Sequence, residues 1–167
     1  VWQPGFDPDH AAIGLTPLLA ATGNPSADAA VAAISALLSL GADIRVMARR
    51  HPHKTALMMA ALRHAAALEL LLAAGANVHV KDADGQTALH HAVRYRNLFG
   101  GGRQAVSALL AAGSDPLAVC ASGMTPRRWA EKAYTPDPDA CFCLRQHFAS
   151  VQVSRGTHAE AAAGPTR

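Results

Sequence analysis

Aromatic side chains are scarce in this chain, where phenylalanine, tryptophan and tyrosine together supply 5% of 167 residues. So thin a supply leaves few platforms on which nucleobases can stack. Cysteine is as sparse, and Cys120, Cys141 and Cys143 lack the spacing of a disulfide framework, which favours a reducing compartment. No apolar run approaches the ~20 residues of a membrane span. The 50% hydrophobic content is largely alanine. A secretory leader is also missing, although the chain opens on Val1, as a processed or excised piece would. Catalytic phrases are missing too. There is no nucleophile elbow and no pair of carboxylates in a recognisable frame, and Gly100-Gly101-Gly102-Arg103 lacks both a preceding strand and the Gly-Lys-[Ser/Thr] of a phosphate cradle. That glycine run reads as a flexible turn or an adaptable contact. We therefore expect no enzyme and no cofactor, and the length suits one small domain.

What the chain does contain is a phrase repeated four times. It reads Gly14-Leu15-Thr16-Pro17-Leu18-Leu19-Ala20-Ala21, then Lys54-Thr55-Ala56-Leu57-Met58-Met59-Ala60-Ala61, then Asp84-Gly85-Gln86-Thr87-Ala88-Leu89-His90-His91-Ala92, and last Gly123-Met124-Thr125-Pro126. About twenty residues or more after the first three come Gly41-Ala42-Asp43, Gly75-Ala76-Asn77 and Gly113-Ser114-Asp115. Threonine caps helix amides, proline is pre-set for the first helical turn, and glycine supplies a left-handed C-cap. Between the landmarks run apolar stripes at helical spacing: Val31, Ile34 and Leu38; Leu68, Leu71 and Leu72; Val106, Leu109 and Leu110; and, less typically, Cys141, Leu144 and Phe148.

This pattern resembles the ankyrin repeat, whose period is about 33 residues and whose signature is Thr-Pro-Leu-His-x-Ala. The resemblance covers residues 10 to 148 and implies an all-α solenoid of stacked helix-turn-helix units joined by β-finger loops. Its repeats fall at 15–46, 54–80, 86–117 and 124–148, within a domain spanning 15–148. Residues 1–14 form an N-terminal extension that would lie over the first repeat, with Trp2 and Phe6 shielding its apolar face. Residues 149–167 read as a disordered tail. The fourth repeat is degraded, with Arg127 and Arg128 in the Leu and His positions, as a solvent-facing cap requires.

Successive threonines are 39, 32 and 38 residues apart. Locating the extra residues between landmarks puts them in the turn linking the two helices of repeats one and three, at 22–26 and 97–103. Repeat two is shortened at the same place. Asn24-Pro25 and Asp137-Pro138 each pair a capping side chain with proline to restart a second helix.

The net charge of +3 names no partner by itself, but its distribution is uneven. Arg45, Arg49, Arg50, His51, His53 and Lys54 crowd the first finger, and no acidic side chain appears between Asp43 and Glu69. The second finger instead carries Lys81, Asp82 and Asp84. Such a run is either a plain solvated face or an anchor for an acidic patch on another protein. Nucleic acid is not the expected partner, because no nucleic-acid module is visible.

The family resemblance implies a concave groove of finger tips and inner helices as the binding surface. Carried over position by position, it consists of His51, Pro52, Lys54, Leu62 and Arg63 in repeat two, and Ala83, Asp84, Gln86, Arg94 and Tyr95 in repeat three. Ser122, Met124 and Lys132 are the corresponding positions of the cap, and Arg49 and Arg50 flank the groove. Tyr95 and the arginines are the residue types that carry energy at interfaces. His90 holds the family's histidine position, whose task is a hydrogen bond between adjacent fingers. Met58 and Met59 read as packing. Cys143 and His147 share a helical face, but Cys141 points about 200° away from Cys143, so no metal site is expected.

The reading is a non-enzymatic, monomeric protein-interaction module, cytoplasmic or secreted into a host cell as an effector. The Ala- and Arg-rich composition suggests a bacterial source. An architectural spacer of a longer protein is the main alternative, and a metal- or redox-responsive module using the cysteines is another.

Overall fold

The computed structural model describes residues 16–48, 53–95 and 102–132, apart from the Tyr95 side chain. Among these run seven helices: α1 (Pro17–Thr22), α2 (Ala27–Ser39), α3 (Ala56–Arg63), α4 (Ala65–Ala73), α5 (Ala88–Tyr95), α6 (Gly102–Ala111) and α7 (Pro126–Lys132). Their contacts sort them into two rows. α1 packs on α3, α3 on α5 and α5 on α7; α2 packs on α4 and α4 on α6; and α1–α2, α3–α4 and α5–α6 form the rungs. This is the expected all-α solenoid, in which a hairpin buries its apolar face only against the next one. None of the helices is long and apolar enough to cross a membrane.

The recurring threonine starts the inner helices as its chemistry requires. Thr16, Thr55 and Thr125 accept the amide hydrogens of Leu19, Met58 and Arg128 at 3.4, 3.3 and 3.2 Å. Each cap satisfies an amide with no intrahelical partner and contributes about 1 kcal/mol. Pro17 and Pro126 open their helices, where a missing N–H costs nothing. Thr87 behaves differently, because its amide and hydroxyl both meet Nδ1 of His90, at 3.1 and 3.0 Å.

The outer helices end alike. Ala42, Ala76 and Ser114 donate backward to the carbonyls of Leu37, Leu71 and Leu109 at 3.0 Å each, and the preceding glycines to Leu38, Leu72 and Leu110. This Schellman arrangement uses up the last helical carbonyls. Asp43, Asn77 and Asp115 then accept from the amides of Arg45, His79 and Leu117 at 2.9, 2.9 and 2.8 Å, turning the chain toward the finger. The core follows the stripes. Ile34, Leu68, Leu71, Val106, Leu109 and Leu110 are buried, and Val31, Leu38 and Leu72 pack at its margin.

The inserted residues sit differently from expectation in repeat one. α2 has thirteen residues where α4 has nine, so part of the insertion becomes an added helical turn. Ser26, not Asn24, caps that turn, its hydroxyl accepting from Ala29 at 3.4 Å. Asn24 lies two residues earlier and accepts from the Ser26 amide at 3.0 Å, which positions the cap. Proline 25 thereby stays outside the helix, where no ring clash arises. The first finger is also longer. Five residues separate the hydrogen-bonded Ala48 and Lys54, against three between Asp82 and Gln86 and three between Cys120 and Met124.

Repeat two is shortened as expected, since His64 alone joins α3 to α4. Its Nε2 donates to the Asn24 carbonyl at 2.7 Å, tying the two links together. The enlarged turn of repeat three at 97–101, Asp137-Pro138, the stripe of Cys141, Leu144 and Phe148, the N-terminal extension and the tail lie outside the described residues.

Candidate interaction face

Fingers two and three are built on the same hydrogen bonds. Asp82 donates its amide to the Gln86 carbonyl and Cys120 donates to Met124, at 2.9 and 3.0 Å, while Gly85 and Gly123 close the turns by donating to Asp82 and Cys120 at 2.9 Å. The fingers are joined edge to edge. The Ala121 amide donates to the Asp84 carbonyl at 2.8 Å, and Lys81 Nζ to the Val119 carbonyl at 3.1 Å.

Gly85 is forced by this contact. Its φ is +70°, and a Cβ there would stand 3.0 Å from the Ala121 nitrogen. In the first finger the equivalent position, two residues before the threonine, is His53 with φ 44°, a conformation costly for a side chain with a Cβ.

Sequence reasoning treated Asp82 as part of a solvated finger; it is instead buried. Its Oδ1 accepts from the amides of Asp84 and Gln86 at 3.0 and 2.8 Å, and its Oδ2 accepts from His91 Nε2 at 2.8 Å. A carboxylate satisfied on both oxygens can stay buried. Burial holds the His91 imidazole below the ordinary histidine range, against the raising effect of Asp82. Its neighbour His90 is fully buried and likewise lowered by desolvation. As the family resemblance implied, His90 links fingers, Nε2 donating to the Met124 carbonyl at 3.2 Å.

Cys120 takes the place of Asp82 in finger three. Burial works to raise its thiol, but hydrogen bonds from the Ser122 hydroxyl, 3.1 Å away, from the Met124 and Ser122 amides and from the Trp129 indole bring it below the usual thiol value.

The residues expected on the interaction face are placed as follows. Ala83, Asp84 and Ser122 are exposed on the finger turns, and Lys54 and Met124 are half-buried beside them. Leu62 and Arg63 are half-buried at the end of α3, Arg94 is exposed near the end of α5, and Lys132 is exposed on α7. Gln86 differs from these in being only 5% exposed, its amide bonded to Asp82 Oδ1 and its carbonyl to the Asp82 amide. Arg49, Arg50, His51, Pro52 and the Tyr95 side chain fall outside the described residues.

Trp129 was missed. The Arg94 guanidinium lies 4.8 Å from its ring centroid, a cation–π contact that joins α5 to α7. The signal was available, since Trp129 stands four residues after Thr125, as Met59 and His91 follow their own threonines. Met58 is buried and Met59 packs against the core, which makes both structural.

A family model of ankyrin repeats matches the chain in three copies over residues 32–120. With more than half of its length in that match, and the stacked hairpins and linked fingers just described, the chain belongs to the ankyrin repeat family. Proteins of this family generally serve as protein-interaction modules. A search of curated proteins returned no match.

Proposed function

We propose that this chain is a non-enzymatic module that holds another protein against its finger turns and inner helices, and that the partner presents an acidic patch there. The supporting observation is the division of charge between the rows. The inner helices carry Arg63, Arg94, Arg127, Arg128 and Lys132 against the single carboxylate of Glu131, whereas the outer helices carry Asp28 and Glu69 against Arg103. Glu131 is moreover bonded to Arg127 at 3.0 Å. A surface of one sign steers an oppositely charged partner and raises its association rate. Arg49, Arg50 and Lys54 of the first finger extend the same sign, and Tyr95 and Arg94 are the anchors expected to be buried in the complex. A monomer working in the cytosol, of its own cell or of a host, fits this reading.

The test is a salt series on a partner recovered by affinity capture, run beside random oligonucleotides. Reversing the charge of Arg49, Arg50 and Lys54 together is expected to slow association and flatten its salt dependence with the fold intact. Tyr95→Ala should chiefly speed dissociation, at a cost of roughly 2 kcal/mol for a buried anchor. Equal binding of random oligonucleotides, with log affinity falling steeply in log salt and no response to Tyr95→Ala, sinks the reading in favour of nucleic acid. No partner at any salt leaves the chain a spacer.

A further inference from the structure

The two adjacent histidines of α5 join fingers two and three through groups that tolerate protonation differently. Thr87 directs its backbone N–H, which has no alternative but to donate, at His90 Nδ1, and His90 Nε2 donates to the Met124 carbonyl. The ring is thus confined to one neutral tautomer. A proton added at Nδ1 would face the Thr87 donor head-on inside a fully buried site. One position on, His91 Nε2 meets Asp82 Oδ2 at 2.8 Å with both side chains at most 3% exposed. Asp82 in turn holds the Asp84 and Gln86 amides, and Asp84 supplies the carbonyl on which the Ala121 amide of finger three rests. Both histidines therefore lead to the same seam.

We propose that His90 is an acid-sensitive latch: neutral, it holds fingers two and three together, and protonated at Nδ1, where the Thr87 N–H already points, it releases finger three from finger two, whereas His91 keeps its bond to Asp82 in either state. The charges around the two rings differ. Lys81 of the second finger opposes a positive His90 more than Asp82 favours it, whereas Asp82, bonded to His91, favours a positive His91 more than Lys54 of the first finger opposes it. The helices packed on α5 contribute Arg63, Arg103, Arg127, Arg128, Glu131 and Lys132, all half-buried or exposed, and Arg94 of α5 itself is exposed.

The sign follows from proton linkage. Burial holds the His90 imidazole below the ordinary histidine value and the Thr87 N–H occupies its Nδ1, so below pH about 6.5 the opened state binds a proton that the closed state refuses. The opening equilibrium then rises by up to about tenfold per pH unit, until the folded value is reached.

Hydrogen exchange on the full chain at pH 7.5, 6.5 and 5.5 tests this. The protection factor of the Ala121 amide should fall by about fivefold between pH 6.5 and 5.5. That of the Leu68 amide, bonded to the His64 carbonyl at the start of α4, should hold. His90→Gln, which can still accept from Thr87 and donate to Met124 but cannot be protonated, should remove the change at Ala121, whereas His91→Gln should leave it in place. An equal fall at Leu68 and Ala121 means global acid unfolding and overturns the latch, as does an unchanged Ala121. Should His90→Gln fail to fold, imidazole proton shifts of the wild-type chain decide: titration of the His90 ring near pH 6.5 without loss of Ala121 protection refutes the proposal.

Discussion

The closeness of fingers two and three can be tested at one atom. Gly85→Ala introduces a Cβ at φ +70°, with the Ala121 nitrogen 3.0 Å away and the Cys120 backbone at 3.4 Å. The left-handed conformation alone costs an alanine about 1–2 kcal/mol. The contact adds a second cost, because the neighbour is backbone that itself donates to Asp84, and the fingers must part; overpacking of this kind costs about 1–3 kcal/mol. The sum is about 2–5 kcal/mol. Gly123→Ala is the internal control, with φ +71° and nothing within 4 Å of the new Cβ. It should show only the conformational part, about 1–2 kcal/mol. His53→Gly completes the set by relieving the strain at φ 44°, and should be neutral or stabilise by up to about 1 kcal/mol after the added freedom of the unfolded chain. Urea unfolding of the three variants reads all of these as shifts in midpoint at constant slope. Equal losses for Gly85→Ala and Gly123→Ala would refute the argument, since the seam between the fingers would then contribute no steric constraint.

Two further predictions concern the frame. Leu89, fully buried between repeats, should cost about 2–5 kcal/mol as Leu89→Ala, and a thermal midpoint within a degree or two of wild type would mean the register of repeat three is wrong. Ser26→Ala should lose about 1 kcal/mol by removing the cap of α2; if Asn24→Ala costs more than Ser26→Ala in denaturant, the capping role belongs to the earlier residue after all.

Much of the architecture was legible because each repeat obeys local rules. A threonine at a helix start, a glycine at a helix end and leucines spaced for one face are signals carried within a few residues, and together they specify a hairpin with an apolar side. Recurrence in register then requires stacking, since no hairpin can cover that side alone. The position of His90 in its phrase was enough to expect its bond to the next finger. Asn24 misled because an Asn-Pro pair signals a cap, while Ser26, two residues on, competes for the same role and wins by lying next to the helix.

What tertiary structure decided was which polar groups are hidden. In sequence, Asp82 and Asp84 are two acids in one finger. Only the approach of α5 makes Asp82 a buried acceptor for His91, while Asp84 stays at the tip. Gln86, placed by the sequence on a finger, is buried in the stack, and Arg94 found the Trp129 ring on the next repeat 35 residues away in the chain. Each of these depends on distances between repeats, which local propensity does not encode. The sequence by itself determined the repeating unit, because the unit is held by bonds between near neighbours. The stack alone determined the face it presents, because burial and electrostatic environment are properties of surfaces brought together from different repeats.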